Sequence, residues 1–197
     1  MYITDIKKGN KMLSSLYVDG ELFAKIDNEV LIRSGLKVGS SVDDEILNEL
    51  KYDSDYKRSK DKSLYLLSFR DHSRKELIDK LKRDYSVGVA EKSARRMEEL
   101  GLINDDNFAK RYARELLFNK HFSKRRAEFE LSQKGIDKDK IYEILSNIEY
   151  DAVEQIKLLV DKKYKLAYKD EKVKKRAIAF LQRYGYSWEE IRQVFDT

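Results

Sequence analysis

Residues 101–137, GLINDDNFAKRYARELLFNKHFSKRRAEFELSQKGID, decide the fold because they contain one helical unit with its start and stop signals. From 106 to 118, apolar side chains recur every three or four residues, which is typical of a helix buried on one face: Phe108, Ala109, Tyr112, Ala113 and Leu116. A second helix is predicted after Ser123, whose hydroxyl can accept from the free amides of the first turn. Gly135 is placed to end that helix in the left-handed conformation, with Ile136 as its apolar contact.

The same pattern recurs 50 residues away on both sides of this unit. Three sets of residues correspond: Ser73, Leu77, Leu81 and Tyr85; Ser123, Ala127, Leu131 and Gly135; Val173, Ala177, Leu181 and Gly185. Each unit is predicted to have a leading helix (64–70, 108–118, 152–164), a middle helix through these residues, and a trailing helix (90–100, 140–148, 188–195). Repeats of this length are typical of modules that stack on their neighbours. The first unit lacks the glycine, so we expect Gly88 to supply its turn, and the third has Val173 in place of a capping serine.

The first 58 residues have a different pattern. Short apolar-rich runs at 3–7, 12–18 and 21–26 predict strands, separated by Gly9-Asn10 and Asp19-Gly20. Because an Asp-Gly pair adopts the positive φ values of a tight hairpin, a small antiparallel sheet is expected. A short helix at 29–34 ending at Gly35 and another opening at 41–44 follow. The charged stretch 51–62 is predicted as the boundary.

These patterns predict a mainly α protein of three tandem three-helix repeats in an elongated arrangement, preceded by a small β-sheet with short helices. The predicted domains are 1–58, 59–104, 105–149 and 150–197. The apolar positions of the repeats are interpreted as core: Leu67, Leu77, Leu81, Ala94, Met97, Leu100, Ile141, Ile144, Leu145 and Ile148. Trp188 follows Ser187 in a capping box that ends at Glu190, and is predicted to pack between helices.

Composition excludes several classes of protein. Apolar residues make up 41% of the chain, more than a disordered polymer carries, yet 39% of residues are charged and the mean hydropathy is −0.71. The absence of cysteine excludes disulfides and thiolate metal sites. No apolar run approaches a membrane span, and the first residues lack a signal-peptide pattern, so a cytoplasmic protein is expected. His72 and His121 lack metal-ligand spacing, and no phosphate-binding loop or nucleophile motif occurs. The sequence therefore predicts a binding protein rather than an enzyme, with no cofactor and no metal.

Positive charge is concentrated in the repeats. Residues 1–58 carry a net charge of −2, whereas residues 59–197 carry +7. Basic residues gather at the starts of the middle helices, where they oppose the helix dipole and where free amides favour an anion. They indicate a use outside the fold, although a solvated face paired with Glu128, Asp170 and Glu171 explains any one of them equally well. The candidate contact residues are Arg74, Lys75, Arg111, Arg114, Lys120, Lys124, Arg125, Arg126, Lys134, Lys172, Lys174, Lys175, Arg176 and Arg183.

One ordered series of residues resembles the central module of the RecX family, regulators of the RecA recombinase. It runs Gly101-Leu102-Ile103-Asn104-Asp105-Asp106, Phe108-Ala109, Tyr112, Ser123, then Glu130-Leu131 into Lys134-Gly135-Ile136. The first 58 residues resemble the β-containing extension of some RecX proteins. The resemblance implies a monomer that lodges in the groove of the RecA filament on single-stranded DNA, contacts several subunits, lowers ATP hydrolysis and strand exchange, and hinders filament growth. Single-stranded DNA would be a secondary partner, and homologous recombination, DNA repair and the SOS response the setting.

Two other classes stay open on the residues alone. Three-helix modules with basic helices are also typical of helix-turn-helix DNA-binding regulators, which leave a footprint on duplex DNA without RecA. A protein-only scaffold of helical repeats would instead bind its partner tightly, without salt dependence and without affinity for DNA. For the RecX-like function, Lys124, Arg125, Arg126, Lys174, Lys175 and Arg176 are predicted to face the filament or its DNA.

Overall fold

The Asp19-Gly20 pair turns the chain back on itself, and the strands around it form an antiparallel sheet. The strands pair in the order β1 (Ile3–Lys8), β2 (Leu13–Val18), β3 (Glu21–Asp27). Both turn residues have positive φ, 48° at Asp19 and 89° at Gly20, as predicted. The structure is a computed structural model that describes residues 1–9 and 12–195, so Asn10 of the predicted Gly9-Asn10 turn lies outside the described residues.

The chain divides into two compact units, Met1–Ile103 and Asn104–Thr197. In the first unit, β3 leads directly into α1 (Asn28–Ser34), which is capped by the Asp27 carboxylate and ends at Gly35 with φ 69°. One face of the sheet packs on α1 and on the start of the next helix. The buried residues of this core are Ile3, Leu16, Val18, Ile26, Val30, Leu31, Val42, Leu47 and Leu50.

Helix α2 (Asp44–Phe69) corrects the prediction for 51–62. The Asp43 side chain caps it, and it continues without a break through the charged stretch that was predicted as a boundary. The leading helix of the first repeat is therefore the second half of α2, not a separate helix over 64–70. Beyond Leu50, its buried positions are small residues: Ser54, Ser59 and Ser63.

The first repeat is completed by α3 (Arg74–Leu81) and α4 (Val87–Glu99). Ser73 caps α3 as predicted, by accepting from the Glu76 amide at 3.1 Å. The prediction for Gly88 is wrong, because Gly88 lies in the first turn of α4 and has no positive φ. Leu100 is also outside the core and keeps 49% of its surface exposed. Leu77, Leu81, Ala94 and Met97 are buried as predicted.

The second unit begins with the second repeat: α5 (Asp105–Arg114), a π-helical segment (Glu115–Asn119), α6 (Lys124–Gln133) and α7 (Lys138–Ser146). Its core is shared by all three helices: Phe108, Ala109, Ala113, Leu116, Leu117, Ala127, Leu131, Ile136, Ile141, Ile144 and Leu145. Ser123 caps α6 at the Arg126 amide, and Gly135 ends it with φ 80°, both as predicted. The two boundaries read from the sequence are therefore confirmed.

The third repeat consists of α8 (Ala152–Lys163), a 3₁₀ turn (Lys165–Tyr168), α9 (Glu171–Arg183) and α10 (Trp188–Phe195). Asp170 caps α9, so the helix starts before Val173 and the missing serine is replaced by an upstream carboxylate. The capping box of Ser187 and Glu190 forms as predicted. Trp188 does not pack as predicted, because 47% of its surface is exposed and it is outside the core.

Internal similarity at the predicted spacing is confirmed by burial. The three residues that correspond to Ala127 and the three that correspond to Leu131 all have no exposed surface: Leu77, Ala127 and Ala177, then Leu81, Leu131 and Leu181. Each middle helix therefore places the same two positions in its own core.

Candidate functional site: basic side chains on the middle helices

The start of α6 is covered by the end of α9. The Ser123 amide donates to the Tyr184 carbonyl at 3.0 Å. Gly185 has φ 94°, and a Cβ added there would lie 2.5 Å from Ser123 Oγ and 2.7 Å from Arg126 Cβ. Because protein atoms occupy this helix start, the predicted attraction of an outside anion by its free amides does not apply to α6.

Two of the three basic residues at the start of α6 are engaged within the unit. The Lys124 ammonium donates to the carbonyls of Leu145 and Ile148, at 2.7 and 3.0 Å, where α7 ends. Arg126 pairs with Glu130 at 2.6 Å, and its guanidinium also lies over the rings of Phe122 and Phe129. A cation at the end of α7 is stabilised by that helix dipole, which explains why Lys124 is tolerated at the start of α6.

Buried tyrosine hydroxyls join the second and third repeats. Tyr186, 1% exposed, donates to the His121 carbonyl at 2.8 Å, and Tyr150 donates to the Phe122 carbonyl at 3.0 Å. The two hydroxyls lie 3.1 Å apart. Burial raises the pKa of Tyr150 to about 12, and burial together with the neighbouring Tyr150 hydroxyl raises the pKa of Tyr186 further. We call this arrangement the tyrosine joint.

Helix α9 presents a different set of cations. Lys172, Lys175, Arg176 and Arg183 follow one another at offsets of three, four and eleven residues from Lys172, which places them on one face of the helix. All four are exposed, and within 1–9 and 12–195 none of them has an ion pair. We call these four residues the α9 face. Lys174 points elsewhere, with its ammonium 5.5 Å from the centre of the Phe195 ring.

Sequence reasoning did not single out Lys169, which is exposed but lies before the extended cap residue Asp170 and therefore outside α9. Sequence reasoning also missed the tyrosine joint, because the sequence does not distinguish a tyrosine whose hydroxyl is buried from one whose hydroxyl is exposed.

Most of the other candidate residues are exposed, Arg74 and Lys134 are half-buried, and several have local partners. Arg74 pairs with Glu98 at 3.0 Å, Lys75 with Asp79 at 3.1 Å, and Lys120 with Glu115 at 3.1 Å. Lys134 lies over the Tyr112 ring at 5.7 Å. Arg111, Arg114 and Arg125 are exposed. Exposed ion pairs contribute only about 0–1 kcal/mol, so these pairings do not prevent contact with a partner.

The described residues contain no group of three or more His, Asp or Glu side chains placed to hold a metal ion. A helix of the length and apolarity needed to cross a membrane is likewise not found in the part of the chain that the structure describes.

Comparison with known proteins assigns the three repeats. Family models described as the first, second and third three-helix domains of RecX match residues 60–96, 104–145 and 149–195. The regulatory protein RecX of Bacillus subtilis (strain 168) is 31% identical over 213 aligned positions, which cover 99% of this chain and 76% of the relative. That of Chlorobium phaeobacteroides (strain BS1) is 36% identical, covering 73% of this chain and 95% of the relative.

The chain belongs to the RecX family.

Solved RecX structures agree with the fold. A crystal structure of regulatory protein RecX aligns over 100% of this chain and 99% of its own with a TM-score of 0.63 and 20% identity. RecX from Lactobacillus salivarius aligns over 72% of this chain and 95% of its own, with a TM-score of 0.57 and 25% identity. The three RecX domains correspond to α2–α4, α5–α7 and α8–α10, so α6 and α9 are the same helix of successive RecX domains.

Proposed function

We propose that this RecX chain binds the RecA filament on single-stranded DNA and lowers its ATP hydrolysis, strand exchange and growth. The observation that carries the proposal is the α9 face, since four cations stand exposed on one side of a helix without partners among the residues described. Such a face suits phosphates or an acidic protein surface, because no ion pair must first be broken. Membership of the RecX family supports RecA as the partner.

The remaining candidate residues extend this proposal over the other repeats. Arg74, Lys75, Arg111, Arg114, Lys120, Arg125, Arg126 and Lys134 are proposed as weaker contacts. Lys124 is proposed to act only indirectly, by holding α6 on α7. Modules linked in one chain reach neighbouring filament subunits at high effective concentration, so that weak contacts multiply. We propose a cytoplasmic monomer that needs no cofactor and has single-stranded DNA as a secondary partner.

The test is a RecA ATPase assay on single-stranded DNA with the protein titrated in. The variant replaces the α9 face: Lys172→Gln, Lys175→Gln, Arg176→Gln and Arg183→Gln. If each of the four contacts contributes about 0.5 kcal/mol, the concentration for half-inhibition rises by about thirtyfold. Binding of the wild type should also weaken with salt more steeply than that of the variant.

A matched control removes four exposed lysines from the same unit: Lys110→Gln, Lys138→Gln, Lys157→Gln and Lys162→Gln. The net charge changes by the same amount in both variants, so the comparison tests where on the unit the charge is removed. An equal loss of inhibition in both variants would show a non-specific charge effect and contradict the assignment of the α9 face. No inhibition by the wild type, together with a footprint on duplex DNA without RecA, would select the helix-turn-helix alternative.

A further inference from the structure

A cleft in the first unit gathers cations from three helices. It has a volume of about 290 Å³ and lies between α1, α2 and α4. Its lining includes Arg33 from α1, Lys60 from α2 and Lys92 from α4, which are 27 or more residues apart in sequence. Because these residues come from separate elements, the fold and not a local charge run brings them together. The whole unit, residues 1–103, carries a net charge of only +1, so these cations are concentrated in one place of a nearly neutral unit.

Three of the four basic residues that line this cleft are not neutralised by carboxylates. Within the described ranges, Arg33, Lys60 and Lys92 form no ion pair. Lys57 lines the same cleft but is surrounded by carboxylates, with Asp27, Glu29 and Asp61 at 3.5, 3.2 and 3.1 Å. Burial disfavours its charged form, but these hydrogen bonds and charges outweigh burial and raise its pKa. Its charge is therefore used within the fold.

Tyrosine rings hold two of the free cations in place. The Lys92 ammonium lies 4.8 Å from the centre of the Tyr52 ring and 4.5 Å from that of Tyr56, and the Lys60 ammonium lies 4.6 Å from Tyr56. A ring face attracts an ammonium but does not cancel its charge, so the group remains able to donate to an anion. The rings therefore preorganise the lysines without neutralising them.

We propose that this cleft binds the phosphate of a nucleotide, with Arg33, Lys60 and Lys92 as its donors and Tyr56 beside the base or sugar. Guanidinium and ammonium groups bind phosphate oxygens, and aromatic rings stack on bases. The phosphate comes either from a free nucleotide or from single-stranded nucleic acid. This inference goes beyond the proposed function, because it concerns another unit of the chain and needs no RecA.

Asp53 gives the proposal its most specific consequence. Its carboxylate also lines the cleft, and an anion bound there would be repelled by it. Asp53→Asn removes that repulsion, so it tightens phosphate binding by a few fold, about threefold at the strength of a surface charge pair. Loss of a negative charge elsewhere on the first unit, as in Glu21→Gln on β3, should leave the affinity within about twofold.

The experiment follows the ring-proton NMR signals of Tyr52 and Tyr56 in the full chain, with the α9 face already replaced by glutamine. Inorganic phosphate, thymidine monophosphate and a thymidine oligonucleotide are titrated separately. Saturable shifts are expected, and Arg33→Gln/Lys60→Gln/Lys92→Gln weakens the tightest probe by about tenfold or more. If the oligonucleotide binds, its salt slope falls by about 2, because each single-strand phosphate contact contributes about 0.7.

Matched substitutions of Lys8, Lys25 and Lys37 by glutamine remove three exposed lysines outside the cleft and should change the affinity by less than about twofold. Tight binding of the monophosphate identifies a free nucleotide, whereas binding of the oligonucleotide alone identifies nucleic acid. The proposal is overturned if no probe shifts the two rings, if the control weakens binding equally, or if Asp53→Asn weakens it. Since the α9 face is already removed and RecA is absent, these outcomes do not depend on the proposed function.

Discussion

Helices α6 and α9 are the same helix of two successive repeats, yet their basic residues have opposite uses. At the start of α6, Lys124 donates to two carbonyls of α7 and Arg126 pairs with Glu130. On α9, four cations are exposed and have no ion pair within the described residues. A similar run of Lys and Arg therefore stabilises the fold in one repeat and is available to a partner in the next.

The two helix starts also differ in their surroundings. The end of α9 packs on the start of α6, so α6 lies at an interface between repeats. The start of α9 is capped by its own Asp170 carboxylate, which offsets the basic residues that follow it. The role of a basic cluster is thus decided by the acceptors within reach, which for Lys124 and Arg126 lie in the second repeat itself.

Gly185→Ala is predicted to destabilise the protein most, because it breaks the contact between α6 and α9. A Cβ at a φ of 94° would lie 2.5 Å from Ser123 Oγ and 3.2 Å from the Arg126 amide nitrogen. Backbone strain and overpacking together lower the unfolding free energy of the second unit by about 2–4 kcal/mol. Urea denaturation measures the change in the unfolding free energy. Gly101→Ala is the control, since Gly101 has φ 70° but open space around the added Cβ, so strain alone costs about 1 kcal/mol. Equal losses would show that the close approach is unimportant.

Next in size is Lys124→Met, which keeps the length of the side chain but leaves two carbonyls at the end of α7 without their charged donor. Because Lys124 is half-buried and water can replace part of the interaction, the unfolding free energy falls by about 1–2 kcal/mol. Arg125→Met, at the adjacent exposed position, is expected to change it by no more than about 0.5 kcal/mol. A similar loss for both substitutions in urea denaturation would remove the distinction between engaged and free cations.

The repeated fold was predictable from local patterns because those patterns report burial directly. The spacing of 50 residues placed Leu81, Leu131 and Leu181 in three cores, and all have no exposed surface. The failures have physical causes too. Helix α2 passes through residues 51–62 with Ser54 and Ser59 on its buried face, and buried serines leave no apolar stripe to recognise. Leu100 and Trp188 follow an apolar pattern but lie at helix ends, and their side chains are about half exposed instead of packing in the core.

The candidate site was predictable only in part, because the partners of a cation are distant in sequence. Lys124 finds its acceptors 21 and 24 residues away, on backbone carbonyls that any residue type would supply. The α9 face could be read from sequence, since its residues share one helix and one acid, Glu171, lies within that helix. The cleft of Arg33, Lys60 and Lys92 could not, because three separate helices contribute to it.

A smaller loss of stability is expected on substitution at the tyrosine joint between the second and third repeats. Tyr186→Phe leaves the His121 carbonyl without its donor, which lowers the unfolding free energy by about 1 kcal/mol at neutral pH. The raised pKa of Tyr150, about 12, also gives a pH dependence. This stabilisation is complete below pH 10 and is lost between pH 10 and about 12, because the unfolded tyrosine ionises first. Urea denaturation at pH 8 and pH 11 should therefore show a larger fall for the wild type than for Tyr150→Phe/Tyr186→Phe. If the unfolding free energy of the two proteins fell equally between pH 8 and pH 11, the prediction would be wrong.

The smallest effect concerns the first repeat, where His72 precedes the capping Ser73 as Phe122 precedes Ser123. His72 is 3% exposed, its Nδ1 lies 2.9 Å from the Arg70 carbonyl, and its Nε2 has no hydrogen-bond partner among the described residues. Burial lowers the pKa of His72 and outweighs the hydrogen bond to the Arg70 carbonyl, which raises it. The charges of Arg70 and Lys80 also lower the pKa, and that of Glu76 raises it.

Below pH 6.5 the unfolded histidine takes up a proton before the folded one, so acid lowers the unfolding free energy of the first unit. His72→Phe installs the residue of the second repeat and should remove this part of the pH dependence, while the acid-sensitive carboxylates remain common to both proteins. Urea denaturation between pH 5 and 8 compares the two profiles, and identical slopes would show that His72 takes up its proton equally in both states. A smaller pH dependence of the unfolding free energy in His72→Phe would instead show that the residue before the capping serine contributes to the acid sensitivity of the first repeat.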